Sequence, residues 1–119
     1  MKLLAWNCRG LGRGAAGRAL RSLIRIHKPD LVFLCETKLS ASSLQRKFLR
    51  LGYPFLSQLP SVGAKGGLMV AWNTNIDVEP ISVSRYQISC IVYTDILISL
   101  GFCPVCMALH LGLKNWVFG

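Results

Sequence analysis

LVFLCE, residues 31–36, is an unbroken apolar run that ends in an acid. Five apolar residues in succession leave a strand no polar face. Such a strand is covered on both sides, as in a parallel or mixed sheet. The segment before it, residues 15–28, has a helical period. Ala16, Leu20, Leu23, Ile24 and His27 fall on one face, and Arg18, Arg21, Arg25 and Lys28 on the other. This places His27 in the core and makes the basic stripe a solvated helix face ahead of a phosphate contact. Pro29-Asp30 stops the helix. Before the helix, Lys2 to Asn7 forms a short buried strand that breaks into Cys8-Arg9-Gly10-Leu11-Gly12.

C-terminal to that run, Ser42 followed by Gln45 gives a capping-box pattern for a second helix. Leu44, Phe48 and Leu51 face inward there, Arg46, Lys47 and Arg50 face out, and Gly52 supplies the stop. YPFLSQL, residues 53–59, is a candidate third strand, and SVGAKGG, 61–67, is a loop that reads as a hairpin connection. LMVAW, 68–72, IDVEPISV, 76–83, and QISCIVYT, 87–94, are further strands. The order strand, helix, strand, helix, then mostly strands predicts an α/β (α+β) layered domain: a mixed sheet with two N-terminal helices. The remaining segments promise little beyond that one sheet.

The chain has 119 residues, enough for one domain, and a net charge of +9. That balance points to a polyanionic partner, nucleic acid first. Eleven of the fourteen Lys and Arg lie in residues 1–50, opposed only by Asp30 and Glu36, so the first half is the candidate polyanion surface. Five cysteines without framework spacing, and an N-terminal apolar stretch too short for a secretory signal, predict reduced thiols and an intracellular location, the nucleus included. Cys103-Pro104-Val105-Cys106 has C-x-x-C spacing, but one pair cannot complete a tetrahedral zinc site. Residues 96–113 carry no charged side chain and reach the lower length of a membrane span; Gly101, Pro104, His110 and Gly112 speak against an anchor.

WNCRGLG, HKPDLVFLCETKLS and SVGAKGGLMVAWN, in that order, resemble the start of the endonuclease/exonuclease/phosphatase domain of plant non-LTR (LINE-type) retrotransposons. That domain is similar to apurinic/apyrimidinic endonucleases and to pancreatic DNase. The resemblance spans residues 1–94 and leaves 95–119 as a divergent apolar C-terminal segment. It implies a four-layered α/β sandwich, incomplete in this chain, together with a Mg2+ cofactor and DNA phosphodiester hydrolysis. By the same resemblance Glu36 falls at a metal-binding glutamate, and Asn7 at the asparagine that ends the first strand beside metal and phosphate. Asn7 also suits a plain turn, and Glu36 an ion pair with Arg9 or Lys38.

Arg9 and Arg13, next to that pair, are candidate phosphate contacts, as is Lys65 in the glycine loop. The loop lacks nucleotide P-loop spacing. The resemblance also implies a later histidine, an Asp-x-Asn pair and a final Ser-Asp-His. Asp77-Val78-Glu79, Asp95-Ile96-Leu97 and His110 do not supply them, and Phe118 stands where the pattern has a tyrosine. The sequence therefore describes a truncated phosphodiesterase-like domain, inactive alone and weakly attached to DNA by charge. The alternatives are a non-catalytic basic nucleic-acid-binding fragment and a small membrane-anchored protein.

Overall fold

A computed structural model of the chain describes residues 2–59, 67–84, 87–92, 96–101, 108–110 and 116–118. β1 (Leu3–Asn7), α1 (Gly14–His27), β2 (Leu31–Cys35) and α2 (Ala41–Leu51) follow one another. Strands β3 (Phe55–Leu59), β4 (Leu68–Trp72), β5 (Val78–Ser84), β6 (Gln87–Val92), β7 (Ile96–Gly101), β8 (Ala108–His110) and β9 (Trp116–Phe118) complete the order.

Five strands form a mixed sheet in the order β3-β4-β2-β1-β9. β1 runs parallel to β2 and to β9, while β4 runs antiparallel to β2 and β3. The expected hairpin partnership of β3 with β4 is thus present, with Leu59 opposite Leu68. The expectation of little beyond one sheet is corrected. β5-β6-β7-β8 form a second, antiparallel sheet, and β5 and β6 lie against β3 and β4.

That second layer explains LVFLC, all five of whose residues are fully buried. Because side chains alternate across a strand, the run is shared between two cores. Leu4, Val32, Leu34, Met69 and Ala71 meet Ala16 and Leu20 of α1 and Leu44 and Phe48 of α2. Leu3, Leu31, Phe33, Val70 and Trp72 occupy the other face, and all are buried as well. The layers are therefore helices, mixed sheet, antiparallel sheet. No helix among the described residues covers the outer face of the second sheet, and none is long and apolar enough to cross a membrane.

Local chemistry sets the helix ends. α2 is capped by Ser40, not by the expected Ser42: the Ser43 N–H donates to Ser40 Oγ at 3.3 Å. Several serines here can cap, and the docking of Leu44 and Phe48 on the sheet selects the earlier one. At the far end Gly52 is left-handed (φ 95°), and Tyr53 N–H returns to the Phe48 carbonyl at 2.8 Å. The Phe48 and Tyr53 rings meet edge to face at 6.2 Å, the apolar contact that accompanies such a stop. α1 closes at Lys28, also left-handed, whose N–H reaches the Ile24 carbonyl. His27 is corrected from core to half-exposed. It sits at the helix margin, where the chain turns away into β2. Arg18, Arg21, Arg25 and Lys28 are exposed as expected.

Asp30, just before β2, ties down the N-terminal edge of the sheet. Its carboxylate accepts from the Lys2 N–H, from Asn73 Nδ2 and from Asn75 Nδ2 at 3.2, 3.2 and 3.4 Å. Burial pulls its pKa upward, but these hydrogen bonds and the N-terminal charge outweigh that and leave it below the ordinary value. Beside it the buried Tyr53 hydroxyl donates to the Pro29 carbonyl. Burial first, and the Asp30 charge second, push the Tyr53 pKa up to about 12.

Candidate active site

The two acids of the first half sit at opposite ends of β2. Asp30 is consumed by the structural network above. Glu36 follows the last residue of the strand, and its carboxylate makes no hydrogen bond or ion pair among the described residues, so the expected alternative of pairing with Arg9 or Lys38 is not formed. The parallel register sets Asn7 directly opposite Cys35, one residue before Glu36. Neighbouring strands lie about 4.8 Å apart. The amide and the acid therefore share the C-terminal edge of a parallel pair, where open α/β sheets collect ligands. Both residues are half-buried.

The turn after β1 continues the pairing beyond the strands. Cys8, Gly10 and Leu11 N–H groups donate to the carbonyls of Cys35, Glu36 and Thr37 at 3.2, 2.7 and 2.9 Å. Asn7 Oδ1 accepts from the Arg9 N–H at 3.2 Å. That Asx turn meets the turn-forming expectation for Asn7 and leaves the amide oxygen further acceptor capacity.

This edge is also where the backbone is strained. Arg9, Glu36 and Lys38 have φ of 50, 56 and 52°, in the left-handed region that side chains with a Cβ rarely enter. Each such residue costs on the order of 1–3 kcal/mol and persists where its surroundings over-determine it. The three backbone hydrogen bonds between the two turns supply that constraint. A left-handed Glu36 leaves the alternation of β2, so its carboxylate is re-aimed relative to a regular continuation of the strand. Gly10, at φ 96°, takes the one position here where only glycine is at ease.

The cations divide into different roles. Arg13 is committed to the turn: its Nε and Nη2 donate to the Gly10 and Cys8 carbonyls at 3.4 and 3.3 Å. Arg9 is exposed beside Asn7. Lys38, which sequence reasoning did not select for the site, is exposed and lies over Gly10; a Cβ added there would stand 3.7 Å from Lys38 Cδ. Nothing in its residue type signals this placement. Lys65 lies outside the described residues, as do Asp95 and the Cys103–Cys106 pair. Leu59 and Leu68, which bracket the Lys65 segment, both fall at the Glu36 edge. Gln58, next to Leu59, carries a buried side-chain oxygen with no hydrogen-bond partner among the described residues. Asp77 is exposed ahead of β5. His110 belongs to β8, and Phe118 of β9 pairs with Ala5.

Residues 4–109 match the profile of the Endonuclease/Exonuclease/phosphatase family. The chain belongs to that family. No curated protein matches it in sequence. Among solved structures it resembles an AP endonuclease from Archaeoglobus fulgidus, with TM-score 0.62 and 20% identity over 85% of this chain and 40% of that one. It also resembles the AP endonuclease LMAP from Leishmania major, with TM-score 0.50 and 18% identity over 77% and 34% of the respective chains. At these identities the likeness establishes the shared fold. The family chain described here spans less than half the length of either structure.

The oxygen donors at the edge suit a hard divalent cation. Magnesium binds through one or two carboxylates and keeps waters and substrate phosphate as its other ligands. Glu36 offers one carboxylate and Asn7 one amide oxygen, both partly open to solvent. No group of three or more His, Cys, Asp or Glu that could hold a metal occurs among the described residues. The donors fit such an ion in kind, with one acid in place of a full set.

Proposed function

We propose that the edge formed by Asn7 and Glu36 is the cation-and-phosphate pocket of a DNA phosphodiesterase-like domain. The observation that carries this reading is the parallel register that places an unpaired carboxylate and an amide on adjoining strand ends of a family fold. In the reading, Glu36 and Asn7 hold Mg2+, while exposed Arg9 neutralises a backbone phosphate. Arg13 serves the turn first, and Lys65 stands as a further phosphate contact. When bound, the ion polarises a phosphoryl oxygen and offsets charge on the leaving alkoxide. The similarity of WNCRGLG, HKPDLVFLCETKLS and SVGAKGGLMVAWN to the plant LINE-type domain supports an origin in such a retrotransposon. On this reading residues 1–94 form the family part, and 95–119 a divergent apolar segment.

The chain by itself is proposed to be inactive. Phosphoryl transfer depends on positioning and charge stabilisation by several groups at once. Among the described residues no group of three or more His, Cys, Asp or Glu is available to complete such a set. Titrating Mg2+ into the protein by NMR tests the pocket: shifts should concentrate at Asn7, Arg9, Glu36 and Lys38 and vanish in Glu36→Gln. Shifts elsewhere, or unchanged in the variant, remove the pocket. Incubation with abasic-site or plasmid DNA and Mg2+ should give no cleavage; cleavage abolished by Glu36→Ala would refute the proposed inactivity. The second reading, a non-catalytic nucleic-acid-binding fragment, draws on the single carboxylate and on the diversion of Arg13 into the turn.

A further inference from the structure

The helix layer carries a separate concentration of charge. α1 and α2 contain no Asp or Glu, while α1 carries Arg18, Arg21 and Arg25 and α2 carries Arg46, Lys47 and Arg50. Four of the basic side chains on this layer do more than decorate solvated faces. Arg21 from α1 and Arg46, Lys47 and Arg50 from α2 converge on one groove of about 420 Å3 between the helices. Ser43 adds a hydroxyl to its wall, and Leu20 and Leu51 line its apolar part.

Two details make the groove a built feature. Lys47 is half-buried, and its Nζ would stand 3.8 Å from a Cβ added at Gly17, so the ammonium of α2 lies over a bare stretch of α1. No carboxylate pairs with Lys47 among the described residues, so its charge is left for an anion entering the groove to meet. Arg46 and Arg50, one helical turn apart, repel each other, and no acid among the described groove-lining residues opposes them.

We infer that this groove is a second anion site, on the helix layer and independent of the strand-end edge, and that its occupant is the phosphodiester backbone of a nucleic acid. Charge complementarity and concavity favour that occupant. A membrane surface calls for apolar side chains projecting with the cations. The exposed Ile26 and Leu49 lie off the groove lining.

The test uses the whole chain, a short fluorescent DNA duplex of arbitrary sequence and EDTA in place of any divalent cation. Its outcome therefore does not depend on the strand-end reading. Binding is followed by anisotropy from about 50 to about 200 mM salt, where each phosphate contact contributes about 0.9 to the slope of log K against log salt. Arg46→Ala with Arg50→Ala should lower the slope by about 1.8, so that the parent loses about tenfold more affinity than the variant across that range. Arg18→Ala with Arg25→Ala removes the same charge away from the groove and should change the slope by less than half as much. Arg21→Gln, on the opposite wall, provides an independent variant and should remove about one contact. Equal effects of the two double variants would show diffuse attraction and overturn the inference. Tighter binding to phosphatidylserine vesicles than to DNA, lost with the groove arginines, would overturn it in favour of a membrane.

Discussion

Replacing Phe33 by alanine asks whether the antiparallel sheet covers the mixed sheet. Phe33 is fully buried and lies on the face away from the helices. Phe48, equally buried, lies on the helix side. If both faces are closed, both rings are removed from close-packed surroundings. Transfer and cavity terms together then give a loss of about 3–5 kcal/mol in each case. Phe48→Ala also loses its edge contact with Tyr53, worth about 0.5–1.5 kcal/mol. With a urea dependence of about 1–3 kcal/mol per molar, a loss of about 4 kcal/mol moves the midpoint down by about 2 M. That is a large part of a typical domain's stability, so Phe33→Leu and Phe48→Leu serve as milder companions that keep the same order. Urea unfolding followed by tryptophan fluorescence and circular dichroism supplies the measurement. A Phe33→Ala variant within about 1 kcal/mol of the parent, beside a strongly destabilised Phe48→Ala, would show that β5–β8 do not close the second face.

Ser40→Ala should cost about 0.5–2 kcal/mol through loss of the α2 cap, whereas Ser42→Ala should be close to neutral; the reverse ranking in urea midpoints would restore Ser42 as the cap. Tyr53 has a raised pKa in the folded state, so its contribution is fully present below pH 10 and declines as pH rises through about 12. Tyr53→Phe should therefore narrow its stability deficit against the parent across that window, and a constant deficit between pH 8 and pH 11 would contradict the assignment. Asp30 has the opposite sign. Its lowered pKa contributes stability above its ordinary value of 3.8, lost as pH falls through the folded value. Asp30→Asn should flatten the acid limb of stability against pH, and an unchanged limb would assign acid unfolding elsewhere.

Much of this molecule is legible in its residues. An unbroken apolar run at 31–35 requires cover on both faces, and periodic Leu, Phe and Arg positions place the two helices and their outward cations. The strand-end motifs around Asn7 and Glu36 are enough to nominate the amide and the acid. Periodicity reports which face of an element is hidden, because burial of apolar surface follows the local repeat. It does not report which element does the hiding. Only the tertiary structure sets β4 between β2 and β3, β9 beside β1, and a second sheet beneath Phe33. Long-range pairing decides as well that Asp30 is spent in hydrogen bonds while the Glu36 carboxylate is left without a partner among the described residues, and that Arg9, Glu36 and Lys38 are held left-handed against their own preference. The same packing brings cations from two helices into one groove, an arrangement no single helical repeat contains.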